Sequence, residues 1–231
     1  MRPLQTNFPD NGQTNLSYPS ATQTVVQRKI DATRSTYATT LLDTFGRTSR
    51  TATANAEALQ YDLQDFCYDA NGRVSFQSYP YQSNSLTGAS VCSGAGDSIA
   101  YDGLDRPTQV THSDGTTVQA TYTARPRQIS DEGNGSFLVS RILQNDALGR
   151  LTSVCEVSSA TLLGNGGTPT SCGLDITATG FLTTYNYDLL DNLTTVIQGG
   201  LINRSFAYDS LSRLTSETHP EWGAGSTTTY A

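Results

Sequence analysis

Much of what enzymes and membrane proteins are built from is scarce in this sequence. No run of about eighteen apolar residues occurs, so nothing in it reads as a membrane-spanning helix. The opening residues, Met1 to Asp10, lack the apolar stretch of a secretory signal. Hydrophobic residues make up only 36%, with a single Met and a single Trp, which suits a thin single-layer sheet better than a compact core. The 14 Lys and Arg are scattered and outnumbered by 21 acidic residues, giving a net charge of -7. That balance excludes nucleic acid, whose phosphates call for clustered basic residues.

Signatures of chemistry are missing as well. There is no Gly-x-Ser-x-Gly elbow, no His-Glu-x-x-His, no phosphate-cradling loop and no dinucleotide fingerprint, so no cofactor is expected. His112 and His219 stand far apart and no Cys-x-x-Cys occurs, which argues against zinc. Asp131-Glu132-Gly133-Asn134-Gly135 has carboxylates and glycines without the ligand spacing of a calcium loop, and reads as a polar hairpin tip. His112-Ser113-Asp114-Gly115 cannot converge on one point as a Ser/His/Asp set, and reads as a turn. His219-Pro220-Glu221-Trp222 places an aromatic beside a carboxylate, a surface that can stack on a sugar. Packing is the plainer role for Trp222.

What the chain does have is Thr, Ser, Gly, Asn and Tyr, a mixture that favours strands and turns, and a repeat. The clearest copies are Tyr68-Asp69 with Gly72-Arg73, Tyr101-Asp102 with Asp105-Arg106, and Tyr208-Asp209 with Ser212-Arg213. Looser ones are Leu42-Asp43 with Gly46-Arg47, Asn145-Asp146 with Gly149-Arg150, and Tyr187-Asp188 with Asp191-Asn192. The spacing inside the unit is fixed, while successive Asp residues lie 21 to 44 residues apart. A turn with elastic flanks behaves in this way.

An apolar or aromatic residue stands two places before each Tyr: Phe66, Ile99, Tyr185 and Phe206. That alternation puts both side chains on one face of a strand. Asp then accepts from nearby amides, and Gly, Asp or Ser three places on suits a left-handed conformation. Alternating segments such as Leu151-Thr152-Ser153-Val154 return as the second strand. The unit is therefore a β-hairpin, and because one hairpin is marginal alone, the expectation is an all-β array of stacked antiparallel hairpins. Tyr68, Tyr101, Tyr187 and Tyr208 are expected to form a ladder of rings on one face. The Asp and Arg of each unit read either as an ion pair or as a turn acceptor and a separate solvated charge. Ala52 to Gln60 is a short helix or a loop. Ser83 to Asp97, Asp131 to Ser136 and Gly164 to Ser171 look like long hairpin tips.

Four cysteines allow three pairings. Cys67 with Cys92 and Cys155 with Cys172 each close a local excursion and are favoured, the alternative being four reduced thiols. Bridges imply an oxidising compartment, although no signal segment is visible; membership of a longer chain reconciles the two.

The Tyr-Asp-x-x-Gly-Arg unit, in the settings Phe66-Cys67-Tyr68-Asp69, Tyr185-Asn186-Tyr187-Asp188 and Phe206-Ala207-Tyr208-Asp209, resembles the YD repeat of bacterial Rhs proteins, animal teneurins and the shell component of insecticidal toxin complexes. The resemblance runs from about Leu42 to the end, with a degenerate copy in residues 1–41, so residues 1–231 form a single repeat region. It implies a sheet of hairpins spiralling into a partial shell that encloses or displays a C-terminal effector, on a secreted or cell-surface protein without catalysis of its own. Tyr68, Tyr101, Tyr187 and Tyr208 would be packing rings and Asp69, Asp102, Asp188 and Asp209 turn acceptors. The copies at Asp43 and Asp146 lack the Tyr. The core-associated protease segment and the toxin of the family are absent, so the chain reads as a fragment whose partners are the remaining repeats and the effector. The competing functional reading is a module binding a cell-surface polysaccharide or protein; a hydrolase is the third.

Overall fold

The computed structural model describes residues 4–9, 12–31, 33–54, 60–133, 139–158, 169–172, 175–199, 202–223 and 226–230. Among them are twenty β-strands, every pairing of them antiparallel, and one 3-10 turn at Pro220–Trp222. No helix among the described residues is long and apolar enough to cross a membrane. The chain divides into two compact units, Met1–Thr116 and Thr117–Ala231.

The first unit holds β1 (Gln5–Asn7), β2 (Gln13–Ser20), β3 (Gln23–Lys29), β4 (Ser35–Leu42), β5 (Thr48–Ala54), β6 (Tyr61–Tyr68), β7 (Val74–Ser78), β8 (Tyr81–Ser83), β9 (Gly96–Tyr101) and β10 (Pro107–Thr111). Strands β1 to β6 pair in chain order. Beyond them β6 pairs with β8 along Tyr61–Leu63 and with β7 along Phe66–Tyr68, and β9 joins β7 to β10. Cross-strand register sets one face: Arg50 lies opposite Asp65, Ala52 opposite Leu63 and Cys67 opposite Phe76. Ala52, Leu63, Asp65 and Phe76 are all buried there. The expected helix or loop from Ala52 is instead the end of β5, because pairing with β6 outweighs the weak helical preference of an Ala-rich stretch. Residues 55–59 lie outside the described residues.

The second unit holds β11 (Thr117–Tyr122), β12 (Arg127–Ser130), β13 (Ser140–Asn145), β14 (Leu151–Val157), β15 (Thr170–Cys172), β16 (Ala178–Tyr187), β17 (Leu193–Gln198), β18 (Ile202–Tyr208), β19 (Leu214–Thr218) and β20 (Thr227–Thr229). They pair in chain order, except that β16 takes both β14 and β15. Its buried cluster is Ile142, Cys155 and Cys172, with Val157, Ile176, Ala178 and Leu182 packed around it.

Both units keep their apolar cores small, so ladder hydrogen bonds and paired side chains carry much of the burden that packing carries in a two-layer protein. Two glycines permit unusually close backbone approach where β9 and β16 return from long excursions. A Cβ on Gly96 would strike the backbone of Gln77 and Ser78, and one on Gly180 the backbone of Glu156 and Val157.

Candidate functional site

The six repeat copies share one turn. The residue before Asp pairs with the residue after the fifth turn position: Leu42 with Thr48, Tyr68 with Val74, Tyr101 with Pro107, Asn145 with Leu151, Tyr187 with Leu193 and Tyr208 with Leu214. A register shift adjoins each of these pairs. Inside, the Asp69 amide donates to the Arg73 carbonyl at 2.8 Å and the Gly72 amide to the Asp69 carbonyl at 3.0 Å, and the other five follow suit. The fourth residue is left-handed throughout: Gly46, Gly72 and Gly149 at φ 78°, 85° and 84°, Asp105, Asp191 and Ser212 at 62°, 66° and 60°. This is a type I turn closed by a bulge, the geometry that a short hairpin loop with a left-handed residue adopts.

The carboxylate of the turn aspartate divides its work between its two oxygens. In Asp69, Oδ1 accepts from the amides of Asn71 and Arg73, both at 2.9 Å, while Oδ2 accepts from Arg73 Nε at 2.7 Å. Asp43, Asp102, Asp146 and Asp209 repeat the pattern with Arg47, Arg106, Arg150 and Arg213, and Asn192 Nδ2 replaces the guanidinium at Asp188. The two sequence readings of the pair thus describe different oxygens of one side chain. All six carboxyls sit below their ordinary range. The main cause is the amide of the arginine at Asp69 and Asp209, the guanidinium at Asp102, and the side-chain amide of Asn192 at Asp188. At Asp43 and Asp146 burial is the largest influence and pushes upward, but the amide and guanidinium of the arginine outweigh it.

Arg47, Arg73 and Arg150 also reach past their own turns. The Arg47 guanidinium lies 4.1 Å from the centre of the Tyr68 ring, Arg73 4.6 Å from Tyr101 and Arg150 5.1 Å from Tyr187. The tyrosine hydroxyl returns to the carbonyl just after that arginine: Tyr68 to Thr48 at 2.7 Å, Tyr101 to Val74 at 2.8 Å, Tyr187 to Leu151 at 3.0 Å. Arg73 Nη1 then donates to the Asp102 carbonyl and to Asp105, and Arg150 Nη1 to the Asp188 carbonyl and to Asp191. The left-handed position is aspartate in the two turns that receive such an arginine carboxylate-to-guanidinium, so a conformationally costly residue gains an ion pair there. At the Asp69 turn, which has Gly72, Arg47 Nη1 packs 3.4 Å from where a Cβ would stand. No clasp joins Asn192 to Tyr208; the Asn side chain holds its own Asp but is too short to cross.

A ladder of stacked tyrosines is therefore not how the rings are used. Among the described residues, no ring contact joins Tyr68 to Tyr101 in the first unit or Tyr187 to Tyr208 in the second, because two strand spacings, about 10 Å, separate the members of each pair. In the first unit a guanidinium fills the gap.

The residue two places past each Asp points outward and is apolar in five turns: Phe45, Leu104, Leu148, Leu190 and Leu211, all exposed. Its amide is held by Asp Oδ1, and at Phe45 the ring also takes the Arg47 guanidinium of its own turn, 5.0 Å from its centre.

Sequence reasoning gave no sign of a second constellation. Arg50 and Asp65, with side chains 5% and 0% exposed, form a two-bonded ion pair, Nε to Oδ1 at 2.5 Å and Nη2 to Oδ2 at 2.9 Å. Arg50 also donates to the carbonyls of Leu86 and Ala89 and to the Tyr81 hydroxyl, and Asp65 accepts from Tyr81 and from the Val91 amide at 2.7 Å. Burial is the largest influence on Asp65 and pushes its carboxyl up, but Arg50 and Val91 together hold it low. Residues 84–92 are thereby drawn over the buried face of β5–β7. The expected free hairpin tip at 83–97 is in fact a strap.

The structure joins Cys67 to Cys92, which closes this strap, and Cys155 to Cys172. Cys92 is exposed, whereas Cys155 and Cys172 are buried at 1% and 3%. Residues 159–168, most of the second excursion, and residues 134–138 lie outside the described residues, as does the side chain of Trp222. The Asp114 carboxylate accepts from the amide and hydroxyl of Thr116, while His112 is hydrogen-bonded elsewhere. Its Nδ1 stands 2.8 Å from Asp97, and residues 112–116 form the same turn as the repeats, with His in the place of Asp and Gly115 at φ 86°. His219 Nε2 lies 3.1 Å from Glu217, whose other oxygen accepts from Tyr230. Among the described residues no group of three His, Cys, Asp or Glu could hold a metal.

No protein-family model matches the sequence, and no curated protein matches it. Solved structures share its fold. The crystal structure of TcdB2-TccC3 matches with a TM-score of 0.60 at 13% identity, over 90% of this chain and 13% of that one. The form without the hypervariable C-terminal region gives 0.58 at 13% identity over 85% and 12%, and a Photorhabdus luminescens Tc holotoxin pore with a mutation in TccC3 gives 0.59 at 13% over 85% and 12%. The chain spans about an eighth of the length of these chains.

Proposed function

We propose that this chain is a structural stretch of a β-shell of the Rhs or YD-repeat kind, one region over residues 1–231, without catalysis of its own. It serves to enclose or display a C-terminal effector carried by a longer, secreted or surface-exposed parent. The observation that carries this reading is the clasp from the arginine of one turn to the tyrosine of the next repeat. It fastens hairpins edge to edge with little apolar core, which is what a wall one sheet thick requires. The likeness of fold to TcdB2-TccC3 chains supports the same reading. A segment of such a wall has strands whose outer backbone groups lack partners, and open edges of this kind recruit further strands. Sedimentation velocity over a hundredfold range of concentration should show self-association. A sharp monomer at every concentration, melting cooperatively, would count against the proposal.

A second reading, polysaccharide binding, draws on one feature of the first unit. An open groove of about 910 Å³ is lined by Asn15, Gln27, Lys29, Asp31, Arg34 and Tyr37 among others, with Gln27 bonded to Ser35 and Tyr37. Amides, charges and one ring suit sugar hydroxyls. Dose-dependent retention on cell-wall glycan that Gln27→Ala abolishes would favour it over a bare wall.

A further inference from the structure

The three clasps stand at one register. Arg50 faces Asp65, with Arg47 three residues before the one and Tyr68 three after the other. Phe76 faces Ser98, with Arg73 and Tyr101 at the same offsets, and Ser153 faces Thr184, with Arg150 and Tyr187. On the outer side of β19, Ser216 faces Thr229. Three residues before Ser216 is Arg213. Three residues after Thr229 is the position directly following Ala231. Tyr230 stands two places before that position, where Phe66, Ile99 and Tyr185 stand relative to the clasped tyrosines, and its amide still donates to the Thr215 carbonyl at 2.9 Å. The edge is therefore in register up to the place where a clasp forms.

Arg213 is equipped for one. It holds Asp209 at 2.7 Å as its counterparts hold theirs, yet its side chain is 75% exposed against 31%, 21% and 27% for Arg47, Arg73 and Arg150. Among the described residues no ring lies over it. We propose that the Arg213 guanidinium and the Leu214 carbonyl form an acceptor for the tyrosine of a Tyr-Asp strand running on from β20. This rests on reading the chain as a segment of a repeat sheet. The chemistry of the occupant follows from the filled copies. A ring lies under the guanidinium, a hydroxyl meets the carbonyl, and the next residue offers its own carbonyl, and through its turn a carboxylate, to Nη1.

The test is to extend the chain beyond Ala231 by Tyr-Asp, Phe-Asp or Ala-Asp and follow hydrogen exchange at the Tyr230 amide. Tyr-Asp should slow exchange about fivefold relative to Ala-Asp, Phe-Asp by less, and Arg213→Asn should remove the difference. The Asn variant keeps the turn, since Asn192 holds Asp188 in the same way at 2.9 Å. Equal exchange in the three extensions, or a difference that survives Arg213→Asn, overturns the proposal. Its failure is separable from that of the shell reading. Tyr-dependent protection in a strictly monomeric protein would keep the acceptor and discard the segment, and self-association without such protection would do the reverse.

Discussion

Asp65→Asn is the substitution that should do most damage for the least change in shape. The carboxylate accepts four bonds, two from Arg50, one from the Tyr81 hydroxyl and one from the Val91 amide, in a place with no access to solvent. An amide keeps one acceptor and turns an NH2 group toward these donors. The guanidinium of Arg50 then remains buried with only the Leu86 and Ala89 carbonyls and Tyr81 as partners. Removing one member of a buried ion pair costs about 3–5 kcal/mol, and the lower end applies because one acceptor survives. Against a total stability of about 5–15 kcal/mol for a domain, that is a large share. Urea titration followed by tyrosine fluorescence measures the loss, and exchange at the Val91 amide reports whether the strap lifts first. Adding Arg50→Met to Asp65→Asn should cost little more, since the two act as one unit. A loss under about 1 kcal/mol, or two penalties that simply add, would show that the pair does not pin the strap.

The clasp predicts effects of opposite sign in two turns. Arg150→Asn should lower the melting midpoint by roughly 2 °C, and the loss should shrink in a Tyr187→Leu background. Asn192→Arg together with Ser212→Asp should raise it by a similar amount by giving Tyr208 the partner it lacks; no rise in differential scanning fluorimetry would mean that the contact adds nothing. Acid should unfold the protein. The six turn carboxyls are held below their unfolded value of about 3.9, so the folded state binds fewer protons, and their contribution is present above about pH 4 and lost as pH falls further. Asp31, lowered to about 2 chiefly by the Thr33 amide and then the Arg34 guanidinium, is protonated late. Circular dichroism across pH 2–6 checks the direction. Under mild dithiol, alkylation should appear at Cys67 and Cys92 before Cys155 and Cys172, because only the first bridge meets solvent; labelling in the opposite order would contradict the burial described above.

The hairpins were legible because they are local. Asp69 with Gly72 specifies a turn within five residues, and Phe66 with Tyr68 a strand face within three, so neither depends on distant chain. The clasp was not legible, since Arg73 and Tyr101 are brought together only by a strand pairing across a long excursion, and tyrosines on one face suggest stacking before the strand spacing is known. Arg50 and Asp65 lie on polar strands that look solvent-facing in sequence. Nothing marks them as buried until residues 84–92 fold back on them. The His112 turn does not show in the sequence as a repeat because its capping position is not Asp, although its geometry is the same.

The direction of the clasp has a consequence for biosynthesis. In every instance the guanidinium lies earlier in the polypeptide than the ring it grips, so a receptor is already in place when the matching tyrosine emerges from the ribosome. Assembly can advance like a zip closing behind the growing end, each new loop being caught by its predecessor, and a slip by one hairpin would leave both a cation and a ring unmatched.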